Sequence, residues 1–269
     1  MELKDLYSLD IRLKLQAGLP IEVPEVGELK PKTLKEISQV GYSKFTHWLN
    51  ALTMDVAQTL PEQERVVNGV RISSFDVFMH TNDEEFVAVF LDALKYFFNE
   101  EKILHTQLPV NESAMVDIIV LGITEREEIL TTQPLRMIHR MNFGLISELL
   151  KIQNGLKSHK IEPQFNVKKS KAQEIAERLR RGNEMVSKLK KNSSKTKVQE
   201  EIDISDIISA VSTKSNTISK LNVWELTLYQ LYEEYKRLHA INQYEVNIQA
   251  LMNGAEGIEL RDWSAKLDE

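Results

Sequence analysis

NVWELTLYQLYEEYKRLHAINQYEVNIQALMNGA, residues 222–255, is the stretch whose reading decides the fold. Placed on one helix with the preceding residue, Leu221, Trp224, Leu228, Leu231, Tyr232, Tyr235 and Leu238 share a face, and Glu225, Gln230, Glu233, Glu234 and Arg237 take the other. Apolar recurrence at three and four residues is the pattern of an amphipathic helix that buries one stripe. Tyrosine carries an apolar ring with a polar tip, which suits an interface as well as a core. The stripe is therefore expected to be core and its flank, with Tyr229 outermost, to face a partner. Trp224, Tyr229, Tyr232, Tyr235 and Tyr244 are the candidate partner-binding residues.

Upstream, the same period recurs. Thr33 with Glu36 three residues later forms a capping-box signature, and TLKEISQVGYSKFTHWLNALT reads as a helix interrupted at Gly41. SSFDVFMHTNDEEFVAVFLDALKYFFNEE repeats it with Phe86, Val89, Phe90, Ala93, Leu94 and Phe97, while Asp83, Glu84 and Glu85 read as a solvated helix start. MNFGLISELLKIQNGL is a further helix stopping near Gly155. ILHTQLPV and MVDIIVLGI are short and β-branched, so strands are expected, and EEILTTQPL could add another. Near the N-terminus, Leu9, Ile11, Leu13 and Leu15 alternate as a half-buried strand would, and Ile21 and Val23 can begin a second, giving a hairpin. The expected class is mainly α with a minor β portion (α+β) and a helical C-terminal region.

Between 168 and 197 the composition shifts: 11 Lys/Arg stand against 3 Glu, a net charge of +8. The remaining chain holds 23 basic and 37 acidic residues, a net of −14. Ala172, Ile175, Leu179, Val186 and Leu189 keep a seam broken by Gly182, and NSSKTK reads as a linker. The reading is a domain over 1–167, a basic helical arm over 168–197 and a helical domain over 198–269. Lys188, Lys190 and Lys191 in the arm are candidate partner contacts. Nucleic acid is disfavoured as a partner, because the arm has no aromatic residue to stack on bases.

The 269-residue chain has no cysteine, which excludes disulfides, thiolate metal sites and cysteine nucleophiles. The six histidines are scattered, and no phosphate loop, dinucleotide fingerprint, zincin helix or nucleophile elbow occurs. A non-enzymatic protein without cofactor or metal is expected. MELKDLYSLDIRLKLQAGLP has acidic residues and no unbroken apolar run, and MVDIIVLGI is too short to span a bilayer, so a cytoplasmic protein with no membrane contact is expected.

LNVWELTLYQLYEEYKRL, followed by YEVNIQALMNGA and Trp263, resembles the C-terminal part of tail-assembly proteins from tailed phages of Gram-positive bacteria. PKTLKEISQVGYSKFTHWLNALT resembles the N-terminal region of proteins encoded among phage tail genes. The resemblance implies a tail assembly chaperone, a non-catalytic protein that binds the tape-measure protein and helps recruit tail-tube subunits. Two other roles remain open: a structural virion component, such as a tail or connector protein, or a nucleic-acid-binding regulator using the arm.

Overall fold

Thr33 opens the first helical layer. Its hydroxyl accepts from the Glu36 backbone at 3.2 Å, and the Glu36 carboxylate returns to the Thr33 backbone N–H at 2.8 Å. In this computed structural model, which describes residues 3–55, 66–67, 70–111, 114–130, 134–156, 202–255 and 257–266, that capping box begins helix α2 (Leu34–Val40). Gly41, at φ +88°, takes a backbone conformation that L side chains rarely adopt, and it divides α2 from α3 (Tyr42–Thr53).

Helices α4 (Ser74–His80) and α5 (Glu84–Phe98) follow, with Asp83 capping α5 through the Glu85 and Phe86 N–H groups. Helix α6 (Arg140–Gln153) completes the layer. Its core is aromatic. Phe78 stacks on Phe90 at 4.5 Å between centroids, Phe90 on Phe143 at 5.7 Å, and Phe75 lies 5.4 Å from Phe143. Phe45 meets Phe97 at 5.8 Å, linking α3 to α5. Such offset and tilted pairs add about 1 kcal/mol each beyond the area they bury.

Strand β1 (Ile21–Val23) pairs antiparallel with β2 (Gly27–Leu29). A second small ladder joins β3 (Val66–Val67) to β4 (Val70–Arg71). The main sheet has order β5 (Ile103–Asn111), β6 (Ala114–Leu121), β7 (Arg136–His139), all antiparallel. The central strand is apolar on both faces. Ile118 and Val120 gather with Ile123 and Ile129 on one side, while His105, opposite Ile119 in register, sets its ring 5.3 Å from Phe78 on the helical side. Arg136 ties the β1–β2 hairpin to this sheet through the Val26 carbonyl at 2.8 Å and Glu100 at 3.1 Å. The architecture is mainly α with a minor β part.

The strand expected at Leu9–Leu15 is overturned. The alternating Leu9, Ile11, Leu13 and Leu15 form helix α1 (Leu9–Gln16), capped by Ser8, and no strand. A helix brings Ile11 and Leu15, four residues apart, onto one buried face and leaves Leu9 and Leu13 exposed on another. The hairpin lies one step later, at β1 and β2. The EEILTTQPL stretch supplies a 3₁₀ turn (Arg126–Leu130) just before β7.

Met1–Ser158 and Ile207–Glu269 make one compact unit. The basic segment 168–197, with Lys188, Lys190 and Lys191, lies outside the described residues. The last helices are α7 (Ile204–Lys214), which buries Ile207 and Val211, and α8 (Leu228–Met252).

Lys32, just before α2, is buried, donates to Asn99 Oδ1 and lies 4.7 Å from the Tyr96 ring centroid. Burial lowers its pKa below the ordinary 10.5; Glu36 opposes the shift and Lys30 adds to it. A cation whose folded pKa lies below its unfolded one costs stability at neutral pH, and the cost is relieved as pH rises through the folded value. Unfolding free energies of the parent and Lys32→Met, followed from neutral pH towards 10.5, are expected to show the parent gaining on the variant. A difference flat with pH would contradict this account.

Candidate interaction surface

The segment 215–227 is irregular in backbone yet fully tied down. Asn222 accepts from the Ser219 N–H at 2.6 Å and donates to the Thr217 carbonyl at 2.9 Å, and Val223 N–H returns to Ser219 at 2.9 Å. A 3₁₀ turn (Val223–Glu225) follows, with Val223 buried as its anchor. Leu226 accepts from the Leu34 N–H at 2.8 Å, Thr33 and Thr227 form an isolated antiparallel bridge, and Glu225 lies 3.8 Å from Lys35. From this fixed loop Leu221 projects 93% exposed and Trp224 39% exposed.

Thr227 then caps α8. Its hydroxyl accepts from Gln230 N–H at 3.3 Å, and Gln230 Oε1 returns to the Thr227 N–H at 2.8 Å. Gln230 also donates to the Gln16 carbonyl at 2.7 Å, joining α8 to α1. The helix therefore starts at Leu228, and Leu221 and Trp224 do not share its face. The signal was in the chain: Thr227-Leu228-Tyr229-Gln230 is a capping-box spacing.

Within α8 only Leu228 and Leu231 are buried. Tyr229 and Tyr235 are half-buried in its first turns. Tyr232 is built into the body: burial, the neighbouring Tyr42 and a hydrogen bond with it raise its phenol pKa. Its ring occupies the space above Gly155, where a Cβ would stand 2.6 Å from Cδ2. Tyr244 is half-buried three turns further along. The structure thus sets Trp224 on the loop, Tyr229, Tyr232 and Tyr235 at the base of α8, and Tyr244 apart from all of them.

Past Leu238 the helix carries Val246, Leu251 and Met252 exposed at 52%, 38% and 83%. The segment 257–266 then returns, and Arg237 donates to the carbonyls of Trp263 and Ala265, the latter at 3.1 Å. Leu260 and Trp263 on that segment are each 45% exposed.

No group of three or more metal-ligating side chains gathers among the described residues, and none of their helices is long and apolar enough to cross a membrane. The arrangement sets apolar side chains on a hydrogen-bonded loop beside a helix with no fully buried residue beyond its first turns. The family model of the YomV second domain matches residues 190–268, so this part of the chain is similar to a phage-associated domain family. No curated protein and no solved structure matches the chain.

Gly155 stands at φ +67° as well as beneath Tyr232. Gly155→Ala is expected to lower stability by about 2 kcal/mol, since both the backbone conformation and the ring contact oppose a methyl group. In a Tyr232→Ala background the same substitution is expected to cost less, and denaturant titration of the four proteins in the cycle measures the difference.

Proposed function

We propose that this chain is a non-catalytic assembly protein of a tailed phage, a tail assembly chaperone that holds the tape-measure protein while tail-tube subunits are recruited. The observation that carries the reading is the fixed loop presenting Leu221 and Trp224. Large apolar side chains held outward by a hydrogen-bonded backbone bind with little ordering cost, and tryptophan is among the residues that most often dominate an interface. A long helical client with apolar faces is the complementary partner, because an aromatic anchor beside a helix start can seat in the groove of an amphipathic helix. The match of residues 190–268 to a phage-associated domain family supports the setting, and it includes this loop and α8. The resemblance of both ends of the chain to tail-gene products supports the client.

The test is co-purification of the full chain from cells that express the phage tail genes, with mass spectrometry of the complexes and of finished particles. The expected outcome is capture of a long helical tail protein, with this chain missing from particles. Trp224→Ala combined with Leu221→Ser is expected to weaken that capture at least tenfold. Leu221→Ser by itself should leave stability within about 0.5 kcal/mol, as is usual for exposed positions. Fixed stoichiometry in finished particles would instead make the chain a structural component.

A further inference from the structure

Two Asn–Gly pairs close two helices by the same backbone device. Helix α6 ends at Asn154–Gly155 and α8 at Asn253–Gly254, with the glycines at φ +67° and +85°. In each, the glycine N–H donates to the carbonyl three residues back, Ile152 at 3.2 Å and Leu251 at 3.0 Å. In each, the next N–H reaches the carbonyl five residues back, Leu156 to Lys151 at 2.9 Å and Ala255 to Ala250 at 3.0 Å. These are the two bonds of a Schellman motif, whose positive φ favours glycine. A further pair, Asn68–Gly69, lies outside the described residues.

The surroundings of the two ends differ. Asn154 is buried, its amide donates to the Leu150 carbonyl at 2.7 Å, and the Tyr232 ring occupies the space above Gly155. Gln153, just before it, is also buried and donates to the Leu29 carbonyl at 3.2 Å. Opening this helix end means breaking those contacts. Asn253 and Gly254 are exposed, as are Leu251 and Met252 before them, and among the described residues nothing lies within 4 Å of where a Cβ on Gly254 would stand. A helix end without tertiary contacts opens at little cost.

The chemistry of the dipeptide makes that difference matter. A glycine has no side chain to obstruct its own backbone nitrogen, so that nitrogen can reach the side-chain amide of the asparagine before it. The ring cannot close while the glycine N–H is bonded inside the motif, and the rate therefore follows how readily each helix end opens. We propose that Asn253 is a site of spontaneous covalent modification, converted to aspartate and isoaspartate, and that Asn154 is its protected counterpart. The Gly254 nitrogen, giving its proton to solvent, attacks Cγ of Asn253. A C–N bond forms, the amide nitrogen leaves as ammonia, and a five-membered succinimide results. Water then adds to either ring carbonyl and reopens the ring, so the net change is water taken up and ammonia released, with no oxidation or reduction. The product places a carboxylate at the C-terminus of α8, where the helix dipole is already negative, and isoaspartate also inserts a methylene into the backbone of the motif. Both loosen the last turn of α8. This inference is independent of the proposed chaperone role and is read on the purified chain alone.

The experiment is incubation of the full chain at mildly alkaline pH, with peptide mapping by mass spectrometry at successive times and fragmentation to locate each converted asparagine. In the folded chain Asn253 is expected to convert at least tenfold faster than Asn154. In denaturant the two rates are expected to converge, because each asparagine then precedes a glycine in an open chain. Asn253→Gln is expected to abolish conversion at that position, since glutamine would have to close a larger ring. Folded-state rates within twofold of each other would overturn the proposal. It would equally be overturned by an Asn253 that stays intact while the denatured chain converts, or by a difference that persists in denaturant.

Discussion

The long C-terminal helix is placed by a meeting of two helix starts. Thr33 and Thr227, far apart in sequence, form an antiparallel bridge, and the Leu34 N–H donates across it to the Leu226 carbonyl. Each threonine opens a capping box, Thr33 with Glu36 and Thr227 with Gln230. Two helix N-termini side by side bring their positive dipole ends together, which is unfavourable unless acceptors answer it. Glu36 supplies a carboxylate there. Burial alone would raise its pKa, but the Thr33 backbone and hydroxyl, with Lys32 and Lys30, hold it below the ordinary value, so it stays ionised. Gln230 closes its own cap with its amide oxygen while its NH₂ reaches the Gln16 carbonyl at the end of α1. The bridge thus joins the loop that presents Trp224 and the start of α8 to the first helical layer.

Beyond that junction, the fold divides into a part that packs and a part that does not. The aromatic core of α3 to α6 and the three-stranded sheet fix the body, and α8 contributes to it only through its first turns. The distal part of α8 follows from sequence arithmetic, because its apolar stripe has moved to the opposite side. A continuous stripe would have laid the entire helix on the body. The observed shift takes the last turns' apolar stripe away from the body-facing side, and Arg237, on the same side as that stripe, holds the carbonyls of Trp263 and Ala265.

Much of this was legible in the residues, and the failures have physical causes. Thr33 with Glu36, the break at Gly41, the acidic start at Asp83 and the β-branched runs at 103–121 each state a local preference that packing agrees with. The Leu9–Leu15 alternation did not, because in eight residues a period of two and a spacing of four share half their positions, and Ser8 as a cap decided for the helix. The residues 221–227 failed for a similar reason. Leu221 and Trp224 fall at helical spacing from Leu228, but the Thr227–Gln230 box starts the helix after them. Tyr232 and Gly155 could not be paired from sequence, since the contact depends on tertiary placement. The move of the apolar stripe from Leu228, Leu231, Tyr232 and Tyr235 to Ile241, Tyr244, Ile248 and Leu251 is hidden when the helix is averaged over its full length.

Charge is spread unevenly along the chain. The chain outside 168–197 carries a net −14, yet almost none of it lies between 238 and 255. Self-repulsion therefore acts between bodies, at distances where physiological salt screens it, and not across the distal face of α8. In the proposed role the loop with Leu221 and Trp224 gives up little freedom on binding, because its backbone is already hydrogen-bonded. The junction at Thr33 and Thr227 ties this loop and the start of α8 to the start of α2.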